Sequence, residues 1–410
     1  MKVSKDLKTI YLLAIASSLI LILGWGVLKT PDSPTYVEAW DHISNGEIDI
    51  LRTPIYPIFL GLMKLAFGTY FLTAAICVQH IVFLISIRFF YIITQELCSS
   101  FNISFWITLF YSIFPCITTW NNYILTESFA FSGTIFLIYL IIKMTHQEHK
   151  IYCTIIIAIL LSMLMLLRPA LVYMLPVFFI GWSYFFVKKQ KMIATLGIIG
   201  TLFATVSLFS YMKVFENKYG ILSSSCVGTF NQMVIAYQYN LINPDVIENG
   251  QLKEDIENKS REVSIMTLIK SYGLKDVHNV IMDSYKSHPN KVIKSCFGRL
   301  YRSKSKSLFL TLAPGFATVF DMIGFNLNTL YLFIIIYTII LLRWIYMKRS
   351  LPWTTSFIYM LGVSNIIVAI IGAQEEWERL VLPSLPLYLL MFGQLCTLFS
   401  VKSVKQLELK

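Results

Sequence analysis

Five charged side chains and a tyrosine stand out in a chain that is otherwise short of charge: Asp32, Arg52, Tyr56, Glu127, Arg168 and Arg379. Carboxylates and guanidiniums of this kind can do complementary work. A carboxylate takes a proton from a hydroxyl or amine as it attacks. An arginine neutralises a phosphate that binds or departs. Each residue also has a plainer reading. Asp32 can cap a helix end. Arg168 and Arg379 can extend to lipid headgroups. Glu375 and Arg379, four apart, can form an exposed ion pair of a few tenths of a kcal/mol. Glu127 is harder to set aside, because it precedes an apolar run. A charged residue at the centre of a span costs about 2.5–3.5 kcal/mol on insertion scales, and carboxylates at such depth usually face a wet cavity and a partner.

The elements that must position these residues are mostly lipid-facing. Of 410 residues 56% are hydrophobic and 14% charged, and the mean hydropathy is +0.65. This balance excludes an ordinary soluble domain. About ten runs approach the ~20 apolar residues that cross a bilayer: 9–28, 69–94, 103–120, 124–143, 151–168, 170–187, 192–212, 326–347, 353–372 and 380–400. The fold class is therefore all-α and polytopic. The first run lacks a cleavage site and is expected to stay as a span. With the N-terminus inside, the inner segments collect about fourteen Lys and Arg and the short outer loops about two, as the positive-inside rule requires. The net charge of +11 then reads as contact with anionic lipid, not nucleic acid.

This topology leaves two outer segments, 29–68 and 213–325. The chain divides into a membrane module over 1–212, carrying the first outer loop, the long outer segment, and a three-helix module over 326–410. In the first loop, Ser33 is a helix N-cap with Pro34 in the first turn, Tyr36, Trp40 and Ile43 form an apolar stripe, and Gly46 stops an interfacial helix over 34–45. Residues 55–67 return the chain to the bilayer, fixed by Pro54 and Pro57. The long segment is expected to be helical over 252–271 and 276–306, the latter a basic helix either resting on headgroups or meeting an anionic lipid or glycan. Cys226 and Cys296 share that segment, either as a disulfide or as two thiols. The histidines and cysteines show no metal-ligand spacing.

The polar residues fall at four places on the outer side: Asp32 with Arg52 and Tyr56; Asn121, Asn122, Tyr123, Thr126 and Glu127; Arg168-Pro169; and Glu375, Glu376, Glu378 and Arg379. A base, an arginine for phosphate and a membrane-level cavity suit attack of an acceptor on an anomeric carbon. The donor would be a sugar on a polyprenyl phosphate, whose tail needs the membrane. No Gly-rich nucleotide loop is present.

In "DSPTYVEAWDHISNG", "RTPIYPIFLGL", "ILTESFAF", "LLRPALVYMLP" and "ERLVLPSLPLYLL", taken in order, the chain resembles the integral-membrane GT-C glycosyltransferases, such as protein O-mannosyltransferases and the bacterial lipid A aminoarabinose transferase. The resemblance implies a GT-C-like fold with interfacial helices in the first outer loop. It also implies inverting transfer from a polyprenyl-phosphate sugar to a lipid, glycan or protein acceptor. Asp32 matches the first-loop acid, the general base; Arg52 and Tyr56 match the phrase that shapes the site; Glu127 matches the acid of the second outer turn; Arg379 matches the basic residue before the last span, for the carrier phosphate. Many members pair two acids in the first loop, but here Ser33 follows Asp32. A divalent metal, if used, would draw on Asp32, Asp41 or Glu127. The lack of targeting features suits a bacterial inner membrane with the site on its outer face. Competing readings are a transporter or flippase for a lipid-linked glycan, which needs charges deep in several spans, and a polysaccharide polymerase or ligase using a pyrophosphate-linked oligosaccharide.

Overall fold

The structure is a computed structural model and describes residues 5–98, 100–146, 149–257, 265–303, 326–346, 353–372 and 377–399. The described residues are helical, with no strand among them. In order they form α1 (Lys5–Trp25), α2 (Ser33–Ser44), α3 (Ile55–Phe67), α4 (Phe71–Cys98), α5 (Phe101–Ile113), α6 (Pro115–Thr118), α7 (Glu127–Thr145), α8 (Lys150–Leu167), α9 (Met174–Val187) and α10 (Lys191–Tyr219). Then follow α11 (Val227–Gln238), α12 (Gly250–Glu257), α13 (Ile265–Tyr272), α14 (Leu274–Ser287), α15 (Pro289–Ser303), α16 (Leu327–Tyr346), α17 (Trp353–Gly372), α18 (Trp377–Val381) and α19 (Leu385–Phe399).

Among the described residues nine helical stretches are long and apolar enough to cross a membrane, or ten if the bent pair Phe101–Ile113 and Pro115–Asn122 is one span. That pair bends by 49°. Pro115 is the cause: it disfavours the helical conformation at Phe114, which sits at φ −68°, ψ 119°. Apolar side chains such as Leu12, Ile20 and Leu23 of α1 or Leu332 and Ile339 of α16 point outward, as lipid-facing positions do. One large cluster of buried apolar residues joins α1, α4, α5 and α7–α9 to α16, α17 and α19.

The apolar run from Ile55 to Cys98 is two elements. The chain reverses at Gly68, whose φ of 53° and ψ of −122° no side-chain-bearing residue adopts readily. Helix α3 then lies back along α4, so that the Tyr56 hydroxyl donates to Gln79 Oε1, 23 residues away, at 2.7 Å. Helix α2 crosses α3 where Gly61 lacks a side chain; a Cβ there would overlap the Trp40 ring.

Helix α2 keeps its expected amphipathic face. Tyr36 and Ala39 are buried, Trp40 and Ile43 half-buried, and Glu38, Asp41, His42 and Asn45 exposed. Its start differs from expectation. Ser33 is not the N-cap: its Oγ accepts from the Thr30 N–H at 2.9 Å, and the helix begins at Ser33 itself. Asp32 flanks the helix without capping it.

The long outer segment has its own small core. Phe215, Cys226, Met233, Leu252, Leu268, Val277 and Ile281 are buried together, with Ile48, Ile50 and Leu51 of the first loop packed against them. The single helix expected over 276–306 is broken at His288–Pro289 into α14 and α15, because Pro289 cannot continue a helix from behind. Only α15 remains open on an apolar side; α14 is part of the small core. Residues 258–264 and 304–306 of the two expected helices lie outside the described residues. Cys226 and Cys296 are free thiols. Burial pushes the Cys226 thiol up to about 12.

Candidate active site

Four separate segments meet at one end of the bundle, and short polar contacts fix where they meet. Leu28 and Tyr123 form an isolated parallel bridge: the Leu28 N–H donates to Asn122 O at 2.8 Å and the Ile124 N–H to Leu28 O at 3.1 Å. This joins the approach to Asp32 to the turn before Glu127. The Asn122 amide donates to Leu21 O in the last turns of α1 and to Gly26 O just beyond it, at 3.0 and 2.7 Å. From within α4, Gln79 Nε2 donates to Asn121 O and Tyr123 O, each at 2.9 Å. Ser128 Oγ donates to Asn121 Oδ1 at 2.6 Å. The turn is thus held from three sides.

Arg52 is set by Asp49. The buried Asp49 carboxylate accepts the Leu51 and Arg52 N–H groups at 2.8 and 2.6 Å on Oδ1, and its Oδ2 meets His42 Nδ1 at 2.8 Å. The Arg52 guanidinium lies 4.2 Å from the Tyr36 ring centroid and donates through Nε to Thr35 Oγ1 at 2.7 Å. Arg168 follows α8 in an extended conformation, φ −147° and ψ 107°, as a residue before proline prefers. That turn sends its side chain inward, where it is buried. Arg379 belongs to the short helix α18.

These segments bring five of the six expected residues into one network. Arg52 Nη2 donates to Asp32 Oδ1 at 2.7 Å. Arg379 Nη1 donates to Asp32 Oδ2 at 2.8 Å, and its Nε donates to Glu127 Oε1 at 2.6 Å. Arg168 Nη1 stands 3.0 Å from the same Glu127 oxygen, and Arg168 Nη2 reaches Arg379 O at 3.4 Å. Among the described residues three guanidiniums face two carboxylates. Arg168 and Arg379 do not extend to headgroups; each has a buried acid. The exposed Glu375–Arg379 pair falls partly on Glu375, outside the described residues, as is Glu376.

The two acids differ in access. The Glu127 side chain is 0% exposed and the Asp32 side chain 36%. Glu127 anchors Arg168 and Arg379 from behind, and its Oε2 makes no hydrogen bond among the described residues. Asp32 is the open end of the network. Burial opposes ionisation of Asp32, but the Arg52 and Arg379 charges outweigh it and hold its carboxyl below the usual range.

Tyr56 is not among the network residues. Its hydroxyl goes to Gln79 and its ring stacks edge-on against Tyr36 at 5.1 Å, so it supports the residue that Arg52 covers. A phenol inside an apolar helix seeks the nearest buried acceptor, and Gln79 provides it. Asp41 is also elsewhere: it pairs with Lys64 at 3.2 Å on the exposed side of α2. Asp32, Asp41 and Glu127 therefore do not converge, and no group of three potential ligands occurs among the described residues. The donor chemistry does not fit a divalent cation either. Both Asp32 oxygens and Glu127 Oε1 are taken by guanidiniums, whose charge repels a metal.

Asp49, Thr35 and Gln79 complete the site and were not singled out by sequence. Gln79 had a signal: with His80 it forms a polar pair inside an apolar run, where such groups usually have a task. Away from the site, a cavity of about 460 Å³ lies among Ile180, Gly181, Tyr184, Lys188, Trp353 and Met360, beside the opposite ends of α9 and α17. No family model matches this chain, and no curated protein matches it.

Proposed function

We propose that the chain is a GT-C-like glycosyltransferase that moves a sugar from a polyprenyl phosphate to an acceptor at the outer membrane face. The observation that carries this reading is Asp32, partly open, held between Arg52 and Arg379. An accessible carboxylate held between two guanidiniums suits a reaction with a proton to remove and a phosphate to release.

In this reading an acceptor O–H or N–H attacks the anomeric carbon with inversion. The proton passes to Asp32, the bond from that carbon to the phosphate oxygen breaks, and the polyprenyl phosphate departs as an anion stabilised by arginine. Bidentate guanidiniums recognise phosphate well. Glu127 keeps Arg168 and Arg379 in place and does not reach the acceptor. With both oxygens occupied, Asp32 is a weak base. A donor phosphate that draws Arg52 or Arg379 toward itself removes a positive partner from Asp32 and raises its basicity. Donor binding and base activation are then one event. No step is assigned to a metal. The positive-inside bias supports an outer-face site, and a bacterial inner membrane is the setting proposed.

The test is a mass-spectrometric inventory of polyprenyl-phosphate sugars in membranes with wild-type protein, with Asp32→Asn, and without the protein. The expected result is one monosaccharide-phosphate lipid that accumulates in the last two and is consumed in the first. Identical lipid pools in all three would overturn the reading.

A further inference from the structure

Helix α15 presents three different faces. The first is packed against the protein: Ser295, Arg299 and Ser303 are buried. The second is basic, with exposed Lys291, Lys294 and Arg302. The third is apolar yet open: Ile293 is 55% exposed, Phe297 67%, Leu300 39% and Tyr301 69%. At about 100° per residue these four fall within an arc of roughly 100°. The helix contains no acidic residue.

Two contacts set the level at which α15 lies. Arg299 donates through Nε to Ile370 O at 2.9 Å and through Nη2 to Ile371 O at 3.3 Å. These carbonyls belong to the last turn of α17, a helix long and apolar enough to cross a membrane. Ser303 Oγ shares a 2.7 Å hydrogen bond with Tyr331 Oη, near the start of α16, another such helix. One helix is therefore pinned to the ends of two spans on the same side of the bundle. A guanidinium on open C-terminal carbonyls is a favourable pairing with the helix dipole.

We infer that α15 is an interfacial helix that sets Ile293, Phe297, Leu300 and Tyr301 into the phospholipid leaflet at the site end of the bundle. A stripe of four large apolar side chains beside a row of cations is the pattern of a helix lying in the plane of a membrane surface. Its protein-facing side makes it different from a free amphipathic helix: depth is fixed by the ends of α16 and α17, and lipid supplies the remaining cover. Lys291, Lys294 and Arg302 then lie at the level of the lipid phosphates. The contact fastens the long outer segment to the leaflet beside α17, the helix that leads toward Arg379. It does not depend on the glycosyltransferase reading.

The test places the photo-cross-linking residue p-benzoylphenylalanine singly at Phe297, Tyr301 and Lys294 of the full chain in phospholipid nanodiscs. All three positions are exposed, so the fold is kept. After illumination, intact-mass measurement is expected to show phospholipid adducts at positions 297 and 301, several-fold above those at 294. Two results would overturn the inference. Cross-links from 297 and 301 to other parts of the chain would mean that protein covers the stripe. No lipid adduct above the level at 294 would mean that water does.

Discussion

Glu127 and Asp32 are both acids held by arginine, but their burial separates the effects of removing them. Glu127→Gln leaves Arg168 and Arg379 without their buried counter-charge. The loss of one partner from a buried pair costs about 3–5 kcal/mol, so this variant is expected to unfold well below the wild-type temperature in detergent. Asp32→Asn is expected to fold with a smaller loss and to abolish consumption of the donor, because its side chain is partly open to solvent. If both variants melt alike, the division into anchor and open carboxylate fails. Acid adds a second test. The Asp32 carboxyl is depressed in the folded protein by Arg52 and Arg379, so its ion pairs contribute stability above the ordinary aspartate value of about 3.9. That contribution disappears as the pH falls through the lower folded value. Melting curves below pH ~4 should fall more steeply for wild type than for Asp32→Asn. Asp49 acts through Arg52. Asp49→Ala strips two backbone N–H groups of their acceptor, a loss of about 1–3 kcal/mol per buried group. It should raise KM for the donor more than it lowers kcat.

At the scale of elements, the crossing of α2 over α3 is close enough to test by volume. Gly61→Val forces the Trp40 ring aside. Overpacking of this kind costs about 1–3 kcal/mol and should lower both melting temperature and turnover, since α2 carries Thr35 and Tyr36 beneath Arg52. Apolar length and period made α1, α2, α4 and α7–α10 legible from the sequence, because lipid demands long continuous runs. The clustering of Asp32, Arg52, Glu127, Arg168 and Arg379 was legible as four polar places on one side. What the sequence did not disclose was which group each side chain would choose. Tyr56 went to Gln79, Ser33 to Thr30 and Arg299 to the end of α17, because a buried polar atom takes the nearest partner that the packing offers. The break at Pro289 was written in the sequence, but the basic periodicity on either side masked it.

For the whole molecule, orientation is the property on which the site's location depends. A cysteine at Lys286, on the exposed surface of α14, should react with a membrane-impermeant maleimide in intact cells, above the background of the parent protein. One at Lys188, after α9, should react only once the membrane is opened. The reverse pattern would place the charged network on the inner side. The network also spans an unusual length of chain, since Asp32 and Arg379 are separated by 347 residues. At about 5–20 residues per second, roughly 20 to 70 seconds pass between synthesis of the acid and synthesis of the arginine that shares it. Through that interval α7 is inserted with Glu127 partnered at most by Arg168, and Asp32 is held only by its neighbour in the first loop. The last spans therefore arrive at a bundle in which each acid has one arginine partner, and Arg379 adds a second partner to both. A chain that ends before Arg379 keeps two separate ion pairs, and Arg379 is the side chain that joins them into a network.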